Sequence, residues 1–431
     1  MKILKIRKST IERFYLIPKV SADDLFMVNK QSAVRGMFFF GILLAVFTSA
    51  TPWFLWSFYR FMVYLSALPI IMALYFDRKM TKMLFVNEEY KNPTILYFLL
   101  LICLALTGGK TIFGFVEIFF NVTIFYSLFR VDRNELRKLG DFLASSLAIL
   151  LSVSIPFYIL YLIGFPLPHH SLAPASFEYS FESYRFFLVD DRFMMELIPR
   201  FHSVFLEPSH LGMFCVAILY SQIGKWNSWK CYVLFTALAM SFSLAAYICT
   251  VAMLFSSAWM KGKAVIGKLI FLFVMCVSVI VGSIFYNKGD NLVNILIVQR
   301  LTSSDDGGIE GDNRTTHLFT KEYNKFAGSI DVLWGNGMDS MDKFGFGNAG
   351  YRVYIYKNGL ISVMFLIAFF FTICRTSRNK RAIGSMLIIS MMSFVAHGMP
   401  TKYYFFIPLY ILLFSEVYPK NNLEEIKEVT A

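Results

Sequence analysis

Charge is what this sequence has least of. Only 16% of its 431 residues are Asp, Glu, Lys or Arg, against 57% hydrophobic and 18% aromatic, where soluble domains carry about 25% charge. A soluble core is excluded, and the chain is read in membrane spans of roughly 20 apolar residues each. Cysteine is sparse too. Cys103, Cys215, Cys231, Cys249, Cys276 and Cys374 all lie in apolar stretches, which excludes a disulfide framework and a CxxC metal site. No cleavable signal peptide is visible, because about thirty polar and basic residues precede the first apolar run. Internal repeats and low-complexity tracts are missing as well. The net charge of +12 is not gathered into a patch: Lys and Arg flank the apolar runs, as the positive-inside rule predicts, so nucleic acid is excluded as a partner.

What is present is apolar length. The expected fold class is all-α, a polytopic integral membrane bundle of about twelve transmembrane helices. The stretches are 33–50, 52–76, 93–107, 111–129, 141–166, 204–223, 229–244, 245–260, 266–286, 350–374, 382–398 and 402–418. The segment 229–260 must hold two short crossings broken near "SFSLAAY" to keep the alternation. With the N-terminus inside, "DRKMTKMLFVNEEYK", "RVDRNELRK", "GKWNSWK", "KGKAVIGK" and "RTSRNKR" are inner, and both termini are cytoplasmic. Residues 1–32 form a basic N-terminal segment that either lies on the anionic leaflet or only fixes topology. The membrane domain is 33–418, with a cytoplasmic tail at 419–431. Two long outer loops, 167–203 and 287–349, interrupt otherwise tight connections, and loops of that length are usually functional or disordered; their aromatic residues, Gly turns and mixed charge favour order.

Several motifs carry little. "TGGKT" at 107–111 has Leu104 where a P-loop needs Gly, and no soluble βα unit around it. The pairs Asp190–Asp191 and Asp305–Asp306 are too few ligands for a metal site, so no metal and no cofactor is expected. "NRT" at 313–315 matches a glycosylation sequon only formally. Arg60 and Glu117 lie at similar depths within their spans, on the order of 10 Å in, which favours a structural ion pair over a role in handling substrate.

The dense stretch is "RFHSVFLEPSH", residues 200–210, with Arg200, His202, Glu207, Ser209 and His210 at the edge of a span. Proline restricts the residue before it and suits a helix's first turn, so the helix is expected to start at Pro208. Glu207 then lies at its positive end, where an ionised carboxylate is favoured. The second loop supplies Arg300, Arg314 and His317, followed by "WGNGMDS" and by Arg352 in "GNAGYRVYIYKNGL"; "AHGMPTKYY" joins the last two spans. The planar fork of arginine suits phosphate oxygens. A loop arginine is more often solvated, and His317 and His397 are more often structural than catalytic.

"RFHSVFLEPSHLGMF" resembles the pattern of Arg, a short apolar stretch, Glu-Pro-Ser and Gly in Wzy-type O-antigen and polysaccharide polymerases. "ALAMSFSLAAYI" resembles the Ser-containing span that follows it there. "GDNRTTHLFTKEYNKFAGSIDVLWGNGMDS" is similar to the family's Arg-bearing outer loop, and "YIYKNGLISVMF" to its return to the membrane. The likeness covers about 200–375. Related O-antigen ligases carry a His-Asn pair where Asn348 and Ala349 stand here, which favours a polymerase.

The resemblance implies an inverting membrane glycosyltransferase on the outer face of the bacterial cytoplasmic membrane. It would polymerise oligosaccharide repeat units carried on undecaprenyl pyrophosphate, with membrane lipids as surroundings and a chain-length regulator as protein partner. The chemistry needs a base for the attacking hydroxyl and positive charge for the leaving group. Glu207 is the expected base, with His210 and His317 in reserve; Arg200, Arg300 and Arg314, with His202, Ser209 and Arg352, are the expected pyrophosphate and substrate contacts. The alternatives are a ligase transferring polymer to lipid A-core and a flippase for the same lipid-linked sugars. Many transporters show repeats and a polar midplane site, whereas the polar residues here gather on one side. Rings of "SFEYSFESYRFF" are expected to stack on sugar faces.

Overall fold

The computed structural model describes residues 22–107, 112–172, 180–191, 199–261, 265–289, 291, 294, 315–337, 339–344, 348–377, 379–398 and 400–414. Among these residues thirteen α-helices account for most of the chain: α1 (Ala22–Ser49), α2 (Tyr59–Phe76), α3 (Lys91–Thr107), α4 (Ile112–Arg130), α5 (Arg133–Leu162), α6 (Pro208–Ser221), α7 (Trp229–Met240), α8 (Leu244–Lys261), α9 (Val265–Phe285), α10 (His317–Ala327), α11 (Tyr351–Thr376), α12 (Lys380–His397) and α13 (Tyr403–Leu412). Their starts follow side-chain chemistry. Asp132 accepts the Asn134 N–H ahead of α5, Thr316 accepts the Phe319 N–H ahead of α10, and Asn379 accepts the Ala382 N–H ahead of α12.

A helix lies at each expected apolar stretch. Five of them, Asn29–Ser49, Phe61–Thr81, Arg133–Leu162, Ile266–Lys288 and Tyr351–Thr376, are long and apolar enough to cross a membrane. Others are shorter: α7, with 12 residues, rises only about 18 Å. The first helix begins earlier than expected, at Ala22. The second begins later, because residues Trp53–Phe58 form a 3-10 turn that docks elsewhere: Pro52 pairs with Phe205, and Trp53 N–H donates to Val204 O at 2.9 Å.

Helices α6 and α13 form the centre, buried from Leu211 to Ser221 and from Tyr403 to Leu412. Lipid is as apolar as leucine, so close packing must hold such a bundle, and small residues allow it. A Cβ on Gly212 would stand 2.5 Å from Ala246 Cβ of α8, and one on Gly41 would stand 2.6 Å from Ile70 of α2. At the periphery, α9 exposes Ile266, Phe271, Phe273 and Val274, a surface suited to lipid.

The chain reverses at Ser241–Ser243. Helix α7 starts beside the end of α6, where the Trp226 ring packs 5.7 Å from Phe235, and it finishes where Met240 O accepts the Phe201 N–H. Helix α8 then runs alongside α6 in the same direction, with Ala246 at Gly212 and Ser256 bonded to Tyr220 Oη at 2.7 Å. The break expected near "SFSLAAY" is therefore real. Ion pairs gather at the end of the bundle where α5 begins: Arg35 Nε–Glu135 at 2.5 Å, Lys138–Glu135 at 2.7 Å and Lys225–Asp141 at 3.1 Å.

The described parts of the two long loops fold around cores of their own. In the first, β1 (His170–Leu172), β2 (Phe181–Ser183) and β3 (Leu188–Asp190) form an antiparallel sheet that an all-α reading did not contain. It closes over Phe181, Leu188 and Leu206 with Trp53 and Trp56. The second surrounds Phe319, Phe326, Phe344 and Tyr356. It is pinned where Gly359 breaks α11 at φ 73°; a Cβ there would meet Leu333 O at 2.3 Å, a position open only to glycine.

Candidate functional site

Glu207 occupies the junction expected of it. It is the N-cap of α6, with extended backbone at φ −139° and ψ 151° and Pro208 in the first turn. Its carboxylate does not cap its own helix. Instead Ser209 Oγ donates to Glu207 Oε2 at 2.9 Å, while the Glu207 carbonyl accepts the N–H groups of His210 and Leu211.

His210 follows on the same turn. Its Nδ1 lies 3.3 Å from Thr51 Oγ1, and its ring centre 6.3 Å from that of Tyr404. Thr51 adopts φ 55°, uncommon for a β-branched residue; the turn is held by its N–H to Thr48 O and by Trp56 Nε1 to Thr51 O at 3.1 Å. Thr51 comes from the end of α1 and Tyr404 from α13, so His210 of α6 meets the first and last of the described helices.

Lys402 completes the group, and the sequence reading did not single it out. It is the N-cap of α13, half-buried, with its carbonyl accepting the Phe405 and Phe406 N–H groups. Burial holds its ammonium below the usual lysine range, and the nearby Glu207 charge opposes that shift. One signal was available: in "AHGMPTKYY" a lysine stands between two apolar runs at a connection expected, by the positive-inside rule, to be poor in lysine.

His202 is 1% exposed, with Nδ1 2.6 Å from Phe205 O, a contact that braces the loop. Arg200 is half-buried one residue before Phe201, whose N–H is bonded to Met240 O. His317 is the exposed first residue of α10, and Arg352, in the first turn of α11, lies 6.0 Å over the Tyr323 ring. Arg300 and Arg314 lie outside the described residues, as do Asp305 and Asp306. Asn348, at the position compared with the ligase pair, is structural here: its Oδ1 accepts the Thr316 N–H at 2.8 Å.

The aromatic platform expected in the first loop is corrected as well. Phe181 and Phe187 are fully buried, and Tyr184 stacks on Phe187 at 4.7 Å, leaving Phe186 exposed among the rings described. Asp191 accepts both the N–H and the Oγ of Ser180. Among the described residues no group of three or more His, Cys, Asp or Glu could hold a metal ion. For Arg60 and Glu117, the helices concerned do pack, with Tyr64 and Phe120 edge to face at 4.9 Å; the Arg60 side chain lies outside the described residues.

The assembled groups supply a carboxylate with a hydroxyl donor, an imidazole and a cation. That set can take a proton from a hydroxyl and offer positive charge to an anion. The chain matches no family model, no curated protein and no solved structure.

Proposed function

We propose that this protein is an inverting glycosyltransferase of the bacterial cytoplasmic membrane that polymerises undecaprenyl-pyrophosphate-linked repeat units into O-antigen or a related surface polysaccharide. The observation that carries the reading is the meeting of Glu207, Ser209 and His210 with Lys402 at one end of an apolar bundle. The ion pairs of Glu135 and Asp141 lie where α5 begins, at the other end of α6. If the chain crosses twelve times with both termini inside, as the positive-inside rule favours, the Glu207 end faces outward, where lipid-linked units would be presented. The order of motifs along 200–375 supports the same assignment.

In this reading Glu207 takes the proton of the acceptor hydroxyl, and Ser209 fixes which carboxylate oxygen faces it. Arginines of the outer loops, Arg200, Arg300 and Arg314, contribute charge toward the pyrophosphate. The deciding experiment is the surface polysaccharide profile of a clean deletion strain. Single repeat units on the lipid anchor or surface acceptor are expected. Unattached polymer would point to a ligase and absence of outside units to a flippase; long surface polymer in the deletion strain would sink the proposal.

A further inference from the structure

A cleft to which Glu207, His210 and Lys402 contribute nothing lies against the core of the second long loop. Its volume is about 430 Å³, within the size range of small-ligand sites. Phe326 and Tyr356 form its floor, two buried rings 4.8 Å apart, edge to face. The walls draw on Glu322 and Lys325 of α10, on Asn336 in the turn that follows, and on Lys343 of the 3-10 helix Asp339–Phe344. The motif "WGNGMDS" sets that turn. Asn336 N–H donates to Tyr356 O at 2.8 Å and Gly337 N–H to Lys357 O at 3.0 Å, so the turn is bonded to α11. A Cβ on Gly335 would stand 2.5 Å from Lys357 O, and one on Gly337 2.7 Å from Thr107 O. The cleft is thus held in shape by backbone contacts that leave its side chains available.

The lining selects the ligand by its balance. Two ammonium groups, Lys325 and Lys343, face two carboxylates, Glu322 and Asp331. Lys343 Nζ stands 3.6 Å from Glu322 Oε1 and 4.9 Å over the Phe344 ring, which settles one pair. Among the described residues the side chains of Lys325, Asp331 and Asn336 form no hydrogen bond or ion pair within the protein. No net charge remains to attract a phosphate, and among the described residues no group of three or more His, Cys, Asp or Glu could hold a metal ion. What remains is a mixture of donors and acceptors: an ammonium, a carboxylate and an amide that is both. Ser329 Oγ and Ser340 Oγ have given their protons to Phe326 O and Gly337 O, and so are left as acceptors. A ring bearing several hydroxyls, each able to donate and accept, satisfies such a lining, and bonds to its charged members are the stronger ones.

We propose that this cleft binds an uncharged saccharide, roughly two rings in size, at a site separate from Glu207. Lys325, Asp331 and Asn336 hydrogen-bond its hydroxyls, and the buried rings beneath give it an apolar floor. The assignment rests on the lining and does not require the polymerase reading.

The test applies the full-length protein, purified in a detergent without a sugar headgroup, to an array of neutral, acidic and phosphorylated oligosaccharides. Asp331→Ala, Asn336→Ala and Glu207→Gln are run beside it. The parent is expected to bind neutral glycans. Asp331→Ala and Asn336→Ala, both at exposed positions, should weaken the same glycans roughly tenfold each while unfolding at the parental temperature, and Glu207→Gln should bind as the parent does. Failure of every neutral glycan to bind overturns the assignment, as does binding that survives both cleft substitutions or a preference for phosphorylated sugars. Loss in Glu207→Gln alone would place the sugar at the other site and overturn it too. A deletion strain that still makes long polymer would remove the polymerase reading and leave glycan binding by the purified protein standing.

Discussion

Ser49 Oγ accepts the backbone N–H of Tyr404 at 2.8 Å across 355 positions of sequence. That bond ties the end of α1 to the start of α13, and of the groups on either side of it Thr51 reaches His210 of α6 while the charge of Lys402 acts on Glu207. The candidate site is therefore assembled from three helices widely separated along the chain, and its geometry depends on the whole bundle being closed.

Replacing Glu207 by Gln keeps shape and removes the base. Surface polymer should fall to single repeat units at normal membrane abundance, read by gel profile and immunoblot. Ser209→Ala removes one hydrogen bond to a charged group, about 1.5–3 kcal/mol, and should slow elongation by between ten- and a hundredfold without abolishing it. Full-length polymer at parental rate from both variants would remove this pair from the mechanism.

The pH profile should carry the mark of Lys402. Burial lowers its pKa and the Glu207 charge opposes that shift; His210 and Tyr404 are the other titratable groups close by. A lowered pKa means the ammonium loses its proton as pH rises toward the ordinary lysine value of about 10.4, and the positive charge acting on Glu207 is lost with it. Elongation should therefore fall on the alkaline side, and Lys402→Arg should move that limb upward because arginine stays charged. Superimposable alkaline limbs in kcat/KM for the two proteins would dismiss the idea.

Glycines give a paired stability test. Gly212→Ala forces a Cβ to 2.5 Å from Ala246, whereas Gly36→Ala meets nothing within 4 Å in the same bundle. Overpacking of the first kind costs about 1–3 kcal/mol, and the second should be neutral or gain about 0.5–1 kcal/mol through helix propensity. Thermal unfolding in detergent separates them; equal Tm values would contradict the packing described for α6 and α8.

Much of this architecture could be read from the sequence, and the reasons differ by element. Pro208 announces the start of α6 because proline acts locally, and "SFSLAAY" announces the reversal between α7 and α8 because its serines interrupt two apolar runs. The three-stranded sheet was not legible: its strands are three residues each, too short for a period-two pattern. The burial of Phe181 and Phe187 was equally hidden, since an aromatic-rich loop looks the same whether its rings face sugar or core. Lys402 was missed because its meaning comes from Glu207, 195 positions away in sequence, which only packing brings near.

Topology admits a direct check. In a cysteine-free background, His169→Cys and Asp331→Cys, both exposed positions, should react with an impermeant thiol reagent on intact cells stripped of their outer barrier. Glu88→Cys, also exposed, should react only after permeabilisation. Labelling of the Asp331 position solely from the cytoplasm would show that α7 and α8 do not both cross.

The separate core beneath the second outer segment divides the protein into parts that can change at different rates. Phe319, Phe326, Phe344 and Tyr356 pack with one another, apart from the large cluster of the bundle, and distant substitutions of this kind add nearly independently. Residues facing outward from that segment can therefore drift without disturbing the helices around Glu207. A lineage can therefore remodel that segment while inheriting the packing around Glu207 intact.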